Sequence, residues 1–242
     1  MKTKIVAISF INAAPLWWAL KDEKSVEIKF AKPSQILSLF KNGNFDIALL
    51  PTYEFVKNKF IIAAPYGVLS NGNVKSVLLF HKGKIEEVEK IYLDTNSRTS
   101  QAMTKYLFQG KSIKFKNKCK DLNDLELNEA QLLIGDKALK LRNCGLKTVD
   151  IASLWKKKTG FPALFALWAG KENKSSSKSE TLLSESYKKS MKNLDQIVEW
   201  AKKKTEIDKR TLKNYFTKSL FYYFGEEGKK ALIFYQKVFN EK

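Results

Sequence analysis

The sequence of 242 residues predicts a mixed α/β fold arranged as a two-lobed clamp with C-terminal helices. Candidate strands and helices alternate over residues 3–50, and a second alternating set begins near residue 91. Beyond residue 180 only helical periodicity remains. Alternation of strands and helices favours parallel sheets. Folds with two such units hold their ligand between the units, at the carboxyl ends of strands.

The first unit consists of short apolar, β-branched runs bounded by turn residues. These runs predict strands at residues 3–10, 26–30, 45–50, 61–68 and 74–81. Pro15 and Pro33 stand where the first turn of a helix is expected, a position that does not need the amide hydrogen that proline lacks. Three strands separated by two helices predict that this part of the chain forms a parallel sheet.

The second unit repeats the alternation with different strand lengths. Apolar runs predict strands at residues 91–93, 131–135 and 161–169, and helices after Ser97, after Asp136 and over residues 151–157. Past the polar loop 171–179, apolar residues recur at helical spacing as far as Phe239. We predict that residues 1–77 and 172–242 form the first lobe and residues 78–171 the second, with the ligand cleft between them.

The net charge of +19 raises the question of a nucleic-acid partner. Nearly all basic residues are lysines scattered along the chain, and the arginines are Arg98, Arg142 and Arg210. Nucleic-acid readers use arginine forks and concentrate their charge on one face. We therefore predict a solvated basic surface and no nucleic-acid partner. A positive field of this kind steers small anionic substrates towards the protein.

Several classes of enzyme lose support because their motifs are missing. The sequence has no GxxxxGK[ST] loop, no strand-linked GxGxxG, and neither HExxH nor GxSxG. Cys119 and Cys144 lack CxxC spacing, and His81 is the single histidine. We predict no metal and no cofactor. His81 precedes Lys82 and Gly83, which favours an exposed turn residue over a catalytic one.

The apolar run over residues 5–20 raises the possibility of a secretory signal. Asn12 and Pro15 interrupt the run, which is also too short to span a bilayer. A buried first strand followed by a loop explains the pattern better. We predict a cytoplasmic protein that does not associate with membranes.

Polar residues at the ends of predicted strands are the candidates for binding a small anion. Ser97, Arg98, Thr99 and Ser100 open a helix after a strand, which concentrates N–H and O–H donors at a positive helix end. An ordinary N-cap is the alternative for these hydroxyl residues. A segment of this kind binds a carboxylate or a phosphate.

Four other residues lie at comparable positions in the predicted strands. Asn12 ends the first strand, and its amide can both donate and accept hydrogen bonds, although a turn-forming role is the alternative. Ser76 begins a strand and either points its hydroxyl into the cleft or lies on the surface. Gly135 and Asp136 end another strand, where Asp136 either caps the next helix or faces the cleft.

The order of motifs resembles that of the chorismate dehydratase family. Ser9–Leu16 is similar to the family's SYLN-x-x-PL opening, and Asp46–Glu54 to its D-x-x-L-x-P-S-x-E segment. Four further segments follow in the family's order, at residues 72–80, 93–100, 134–139 and 154–168. The chain departs from the family pattern at Phe10, where the family has Tyr, at Thr52 in place of Ser, and at His81.

The resemblance implies a fold like that of type II periplasmic binding proteins and a cytoplasmic enzyme. It implies dehydration of chorismate to 3-[(1-carboxyvinyl)oxy]benzoate, the first step of the futalosine route to menaquinone. Because no side-chain base stands out, we hypothesise that the substrate's enolpyruvyl carboxylate takes the proton while Asn12 polarises the ring carboxylate. The alternative is a non-catalytic solute-binding protein for a small aromatic or anionic ligand. The sequence leaves both a monomer and a homodimer open.

Overall fold

The chain forms two mixed β-sheets, each covered by helices, in a computed structural model that describes residues 2–58, 60–171 and 177–240. The strands are β1 (Thr3–Ile8), β2 (Val26–Ala31), β3 (Ile47–Pro51), β4 (Ile61–Ser70), β5 (Val77–His81), β6 (Lys90–Tyr92), β7 (Lys114–Lys116), β8 (Glu129–Ile134), β9 (Lys147–Asp150), β10 (Ala163–Gly170) and β11 (Phe221–Tyr223). One sheet has six strands in the order β11-β4-β10-β3-β1-β2. The other has five in the order β7-β6-β8-β5-β9.

The helices lie between the strands of each sheet and then fill the C-terminal part of the chain. They are α1 (Ala14–Trp17), α2 (Pro33–Asn42), α3 (Thr52–Lys57), α4 (Arg98–Leu107), α5 (Gly135–Leu141), α6 (Ile151–Thr159), α7 (Ser177–Lys192), α8 (Leu194–Thr205), α9 (Lys209–Asn214) and α10 (Gly225–Asn240). A 3-10 turn at Ile11–Ala13 precedes α1, and a π-helical turn at Tyr215–Ser219 follows α9. Among the described helices, none is long and apolar enough to cross a membrane.

The predicted parallel sheet is confirmed in the first unit. β1 pairs in parallel with β2, with Thr3 opposite Val26, and with β3, with Ile5 opposite Ile47. Pro15 and Pro33 lie in the first turns of α1 and α2, as predicted. The five-stranded sheet is mixed, because β6, β7 and β8 are parallel whereas β5 runs antiparallel to β8 and β9.

Three short strands were not predicted from the sequence. β7 and β9 lie at the edges of the five-stranded sheet, and β11 lies at an edge of the six-stranded sheet. β7 and β9 contain lysines and are largely exposed, so they lack the apolar run by which a strand is recognised. β11 stands within a helical region, where its three residues form no distinct pattern.

The strand pairing differs from the predicted division of the chain at β10. The prediction that residues 78–171 form the second lobe includes β10 in that lobe. β10 instead pairs antiparallel with β3 and β4 in the six-stranded sheet, with Leu167 opposite both Leu50 and Gly67. The elements of the five-stranded sheet therefore end with α6, and the chain returns to the first sheet between Gly160 and Ala163.

One continuous apolar core connects the two sheets and the C-terminal helices. Trp155 of α6 stacks on Tyr235 of α10, with ring centroids 4.6 Å apart and an interplanar angle of 18°. The hydroxyl of Tyr235 accepts a hydrogen bond from the Leu164 amide of β10 at 3.2 Å. The C-terminal helices thereby contact both α6 and β10, and this packing fixes the second unit relative to the first.

A buried carboxylate organises the edge of the five-stranded sheet. Glu129 in β8 is 1% exposed, accepts a hydrogen bond from Lys90 at 2.7 Å and pairs with Lys120. The Tyr92 hydroxyl donates to the same carboxylate at 3.0 Å. Burial alone raises the pKa of Glu129, but the hydrogen bonds from Lys120, Lys90 and Tyr92 outweigh it and hold the pKa at about 2.

The Glu129 carboxylate is therefore expected to contribute to the pH dependence of folding. Because the pKa of Glu129 in the folded state is lower than its ordinary value near 4.5, the carboxylate contributes its full stabilisation above about pH 4.5. This contribution is lost as the pH falls towards 2. Between about pH 5 and pH 2, we expect the free energy of unfolding to decrease by up to about 3 kcal/mol more in the wild type than in Glu129→Gln. Urea unfolding at several pH values measures this difference.

Glu87→Gln is the matched control, because Glu87 forms an exposed ion pair with Lys84. Exposed pairs contribute little to stability, so this variant should keep the wild-type pH dependence. Equal pH dependence in Glu129→Gln and the wild type would contradict the account of the buried carboxylate.

Candidate functional site

A cavity lies between the two sheets, where the carboxyl ends of β1, β3 and β8 face the starts of β5, α4 and β10. Its lining residues are Ile8, Phe10, Asn12, Pro33, Pro51, Val68, Ser76, Val77, Ser97, Ser100, Ile134, Gly135, Phe165 and Ala166. Five of the eight predicted site residues are among them: Asn12, Ser76, Ser97, Ser100 and Gly135.

Asn12 presents an unpaired amide to this cavity. It lies in the 3-10 turn that follows β1, and its Oδ1 is buried with no hydrogen-bond partner among the described residues. A buried polar atom without a partner costs about 1–3 kcal/mol, so this amide is available to a ligand. Rotation of the amide by half a turn places its NH₂ group at the same position, where it would donate instead of accept.

Ser76 is held at the start of β5 by the backbone before it. Lys75 adopts a left-handed conformation with φ of +63°, which is unfavourable for a residue with a side chain. Its amide donates a 2.7 Å hydrogen bond to Asp150, the N-cap residue of α6. Burial raises the pKa of the Asp150 carboxyl, which accepts several backbone hydrogen bonds. This contact fixes the turn that directs Ser76 into the cavity.

The hydroxyl of Tyr215 lies 2.7 Å from the Ser76 Oγ, and both side chains are fully enclosed. Burial raises the pKa of Tyr215, so its hydroxyl stays protonated. A phenol is a stronger hydrogen-bond donor than an aliphatic alcohol, and Tyr215 therefore donates to Ser76. The Ser76 hydrogen is then free to point into the cavity.

The start of α4 supplies two further hydroxyls. Ser97 is the N-cap, and its Oγ accepts the amide of Ser100 at 3.1 Å. The two hydroxyl oxygens are also 3.1 Å apart. Both side chains line the cavity, and the Ser97 side chain also caps the helix. The two interpretations offered by the sequence, a helix cap and a group of donors facing the cleft, are thus compatible in this geometry.

The remaining residues of this motif point away from the cavity. Thr99 Oγ1 accepts the backbone amide of Tyr53 at 3.0 Å. Arg98 forms an ion pair with the buried Glu54 at 3.2 Å, and its guanidinium lies 4.5 Å from the centroid of the Tyr53 ring. These contacts join α4 to α3, so Arg98 and Thr99 support the helix start without lining the cavity.

Gly135 and Asp136 also take different positions. Gly135 lines the cavity with φ of +63°, and a Cβ atom there would lie 2.8 Å from the Phe10 ring. Asp136 is not part of the lining, because its Oδ1 accepts the Ile11 amide at 3.0 Å and its Oδ2 pairs with Lys204 at 3.0 Å. The sequence predicts Asp136 to be either a helix cap or a cleft residue. Its contacts with Ile11 and Lys204 fit neither role.

The sequence reasoning missed the apolar part of the cavity. Phe10 and Phe165 contribute aromatic surface, and Pro33 and Pro51 lie at the carboxyl ends of β2 and β3, the two parallel strands on either side of β1. Each of these four residues lies shortly after or within a predicted strand, which is the sequence signal that could have placed them at the cavity. Apolar residues at such positions usually belong to the core, so the signal does not distinguish them. No charged side chain of the described residues lines the cavity.

His81 ends a strand, as the predicted strand over residues 74–81 implies, but the expectation that His81 is exposed was wrong. His81 is the last residue of β5, is 5% exposed, and pairs with Ala130 on one side and Lys147 on the other. Its Nδ1 lies 3.1 Å from the carbonyl oxygen of Gly83, and burial lowers its pKa. The strand continues through His81 because both neighbouring strands supply backbone partners. His81 is absent from the lining of the cavity.

Comparison with known proteins identifies the family. A family profile described as menaquinone biosynthesis matches residues 3–241. The chain is 28% identical over 181 residues to the chorismate dehydratase of Thermus thermophilus, an alignment that spans 66% of each chain. It is 25% identical over 233 residues to the chorismate dehydratase of Campylobacter jejuni, which covers 93% of this chain and 92% of the relative.

Solved structures support the predicted fold. A protein from Archaeoglobus fulgidus superposes with a TM-score of 0.77 at 17% identity, covering 98% of this chain and 96% of the other. The alkanesulfonate-binding protein SsuA of Xanthomonas axonopodis has a TM-score of 0.63 at 8% identity, over 99% and 94% of the two chains. The fold is therefore like that of periplasmic binding proteins, as predicted, and the chain belongs to the menaquinone biosynthesis family.

Proposed function

We propose that the protein is a chorismate dehydratase, a hydro-lyase that forms 3-[(1-carboxyvinyl)oxy]benzoate and water at the first step of the futalosine route, in the cytoplasm. The observation that carries the proposal is the cavity between the sheets, which combines four neutral donor side chains with aromatic surface. Membership of the menaquinone biosynthesis family and the two related chorismate dehydratases support it.

The cavity suits a small cyclic dianion. Ser97 and Ser100 place two hydroxyls at the start of α4, where the helix dipole favours negative charge. Ser76 and Asn12 supply donors from the opposite units of the fold. Phe10 and Phe165 provide apolar surface for the ring. The lining donors are uncharged, so they bind carboxylates through hydrogen bonds alone. An ion pair would instead fix the negative charge at one end of the substrate.

The chemistry requires little beyond binding and charge stabilisation. One ring C–H bond and the neighbouring C–OH bond break, a ring double bond forms, and the proton and hydroxide leave as water. The product ring is aromatic, which drives the elimination. We hypothesise that the enolpyruvyl carboxylate of the substrate takes the proton, while Asn12 stabilises the charge that develops on the ring carboxylate.

Incubation of the purified protein with chorismate tests the proposal. The expected result is loss of the diene absorbance and a product lighter by one water that retains the enolpyruvyl ether. Unchanged chorismate would contradict it. If chorismate nevertheless raised the melting temperature, the alternative of a non-catalytic solute-binding protein would be favoured, in keeping with the similarity to SsuA.

Replacement of Asn12 is expected to remove charge stabilisation at the reacting ring. Asn12→Ala should lower kcat by about 100- to 1,000-fold, the effect of removing one donor at a developing oxyanion. Initial rates at saturating chorismate measure the change. Asn143→Ala, which removes an exposed amide outside the cavity, should keep wild-type turnover. Full turnover by Asn12→Ala would show that the side chain has no such role.

Tyr215→Phe is expected to weaken the hydrogen bond that Ser76 donates to the ligand. Without the phenol, the Ser76 hydroxyl loses its buried partner, and kcat/KM should fall about fivefold, the worth of one hydrogen bond. Tyr222→Phe is a close control, because the Tyr222 hydroxyl is equally buried but has no partner among the described residues. That variant should match the wild type.

A double variant separates this effect from general destabilisation. If Tyr215 acts through Ser76, adding Tyr215→Phe to Ser76→Ala should cause no further loss of kcat/KM. Additive losses would contradict the coupling. Equal losses in Tyr215→Phe and Tyr222→Phe would also contradict it.

A further inference from the structure

A second set of contacts holds the segment that carries Phe10 and Asn12 from outside the cavity. The carboxylate of Asp136 accepts the backbone amide of Ile11 at 3.0 Å and pairs with Lys204 at 3.0 Å. The Lys204 ammonium also donates to the backbone carbonyl of Ser9 at 2.5 Å. One ion pair thus fixes the backbone groups on either side of Phe10, two residues before Asn12.

The contacts join three separate parts of the fold. Asp136 lies in the first turn of α5, which follows β8 of the five-stranded sheet. Lys204 lies in the last turn of α8, among the C-terminal helices. The segment 9–12 follows β1 of the six-stranded sheet. The position of residues 9–12 therefore depends on how α5 and α8 pack against each other, because Asp136 and Lys204 both contact this segment.

Packing at Gly135 reinforces the same arrangement. The Phe10 ring lies against Gly135, so closely that a Cβ atom would be 2.8 Å from two ring carbons. The start of α5 thus contacts the Phe10 ring through Gly135 and the Ile11 amide through Asp136. These two contacts together leave the segment little freedom to turn about its backbone.

The Asp136–Lys204 pair differs from its neighbour on the same helices. Its side chains are 20% and 36% exposed, whereas those of the Lys140–Glu206 pair are 53% and 77% exposed. Both pairs join α5 to the end of α8, but in the described part of the chain Lys140 and Glu206 form no hydrogen bond or ion pair with residues 9–12. The second pair provides a matched comparison for the first.

We propose that Asp136 and Lys204 are positioning residues that hold residues 9–12 so that Asn12 faces the reacting ring; the inference rests on the dehydration proposed above. Neither residue touches the substrate. Their removal displaces the Asn12 amide but leaves the hydroxyls of Ser97 and Ser100 in place. The loss therefore falls on kcat more than on KM.

The test uses variants that remove charge with little change of size. Asp136→Asn and Lys204→Met should each lower kcat by about tenfold or more, with KM changed much less, because small displacements of a catalytic group are costly. Lys204→Arg keeps the charge and should recover most of the turnover. Lys140→Met and Glu206→Gln, which break the neighbouring pair, should keep wild-type kcat.

Amide hydrogen exchange of Ile11 gives a readout that does not depend on activity. Exchange at this amide should be faster in Asp136→Asn and Lys204→Met than in the wild type, and unchanged in Lys140→Met. Melting temperatures show whether the two pairs contribute equally to stability. Wild-type kcat and unchanged exchange in Asp136→Asn and Lys204→Met would overturn the inference, as would equal loss of kcat in all four variants.

Failure of the proposed function is distinguishable from failure of this inference. If the wild-type protein leaves chorismate unchanged, the proposed dehydration is wrong. Exchange at the Ile11 amide then tests by itself whether Asp136 and Lys204 hold residues 9–12. Faster exchange confined to the Asp136 and Lys204 variants supports the positioning. Exchange equal to that of the wild type removes it.

Discussion

The antiparallel insertion of β10 between β3 and β4 is the constraint on which the arrangement of the two units depends. The chain leaves the six-stranded sheet after β4, builds the five-stranded sheet, and returns through β10 to the middle of the first sheet. Phe165 and Ala166 of β10 line the cavity at the point of return. The carboxyl ends of strands from both sheets then face each other, and the cavity is the space between them.

Charge is distributed so that the strongest electrostatic contacts lie outside the cavity. The chain carries a net charge of +19, yet the described lining residues are all neutral. Buried charges are paired where they support the backbone, as Glu129 is with Lys90 and Lys120, and Glu54 with Arg98. A neutral, enclosed lining makes each hydrogen bond to a bound anion stronger than it is in water.

The fold was largely predictable because its central strands are continuous apolar runs, as in β1, β3 and β8, and because prolines mark the starts of α1 and α2. The site was predictable only in part. Asn12, Ser76 and Ser97 follow or begin strands, so topology alone brings them together. The directions of Arg98, Thr99 and Asp136 depend on Glu54, Tyr53 and Lys204, partners distant in the chain that no local pattern identifies.

Chorismate is proposed to react in the cavity between the two sheets. The most direct measurement is a crystal structure of the Asn12→Ala protein with chorismate bound. We expect intact chorismate in the cavity, with one carboxylate accepting hydrogen bonds from Ser97 and Ser100 and the ring between Phe10 and Phe165. Chorismate bound to surface lysines, with the cavity empty, would contradict it.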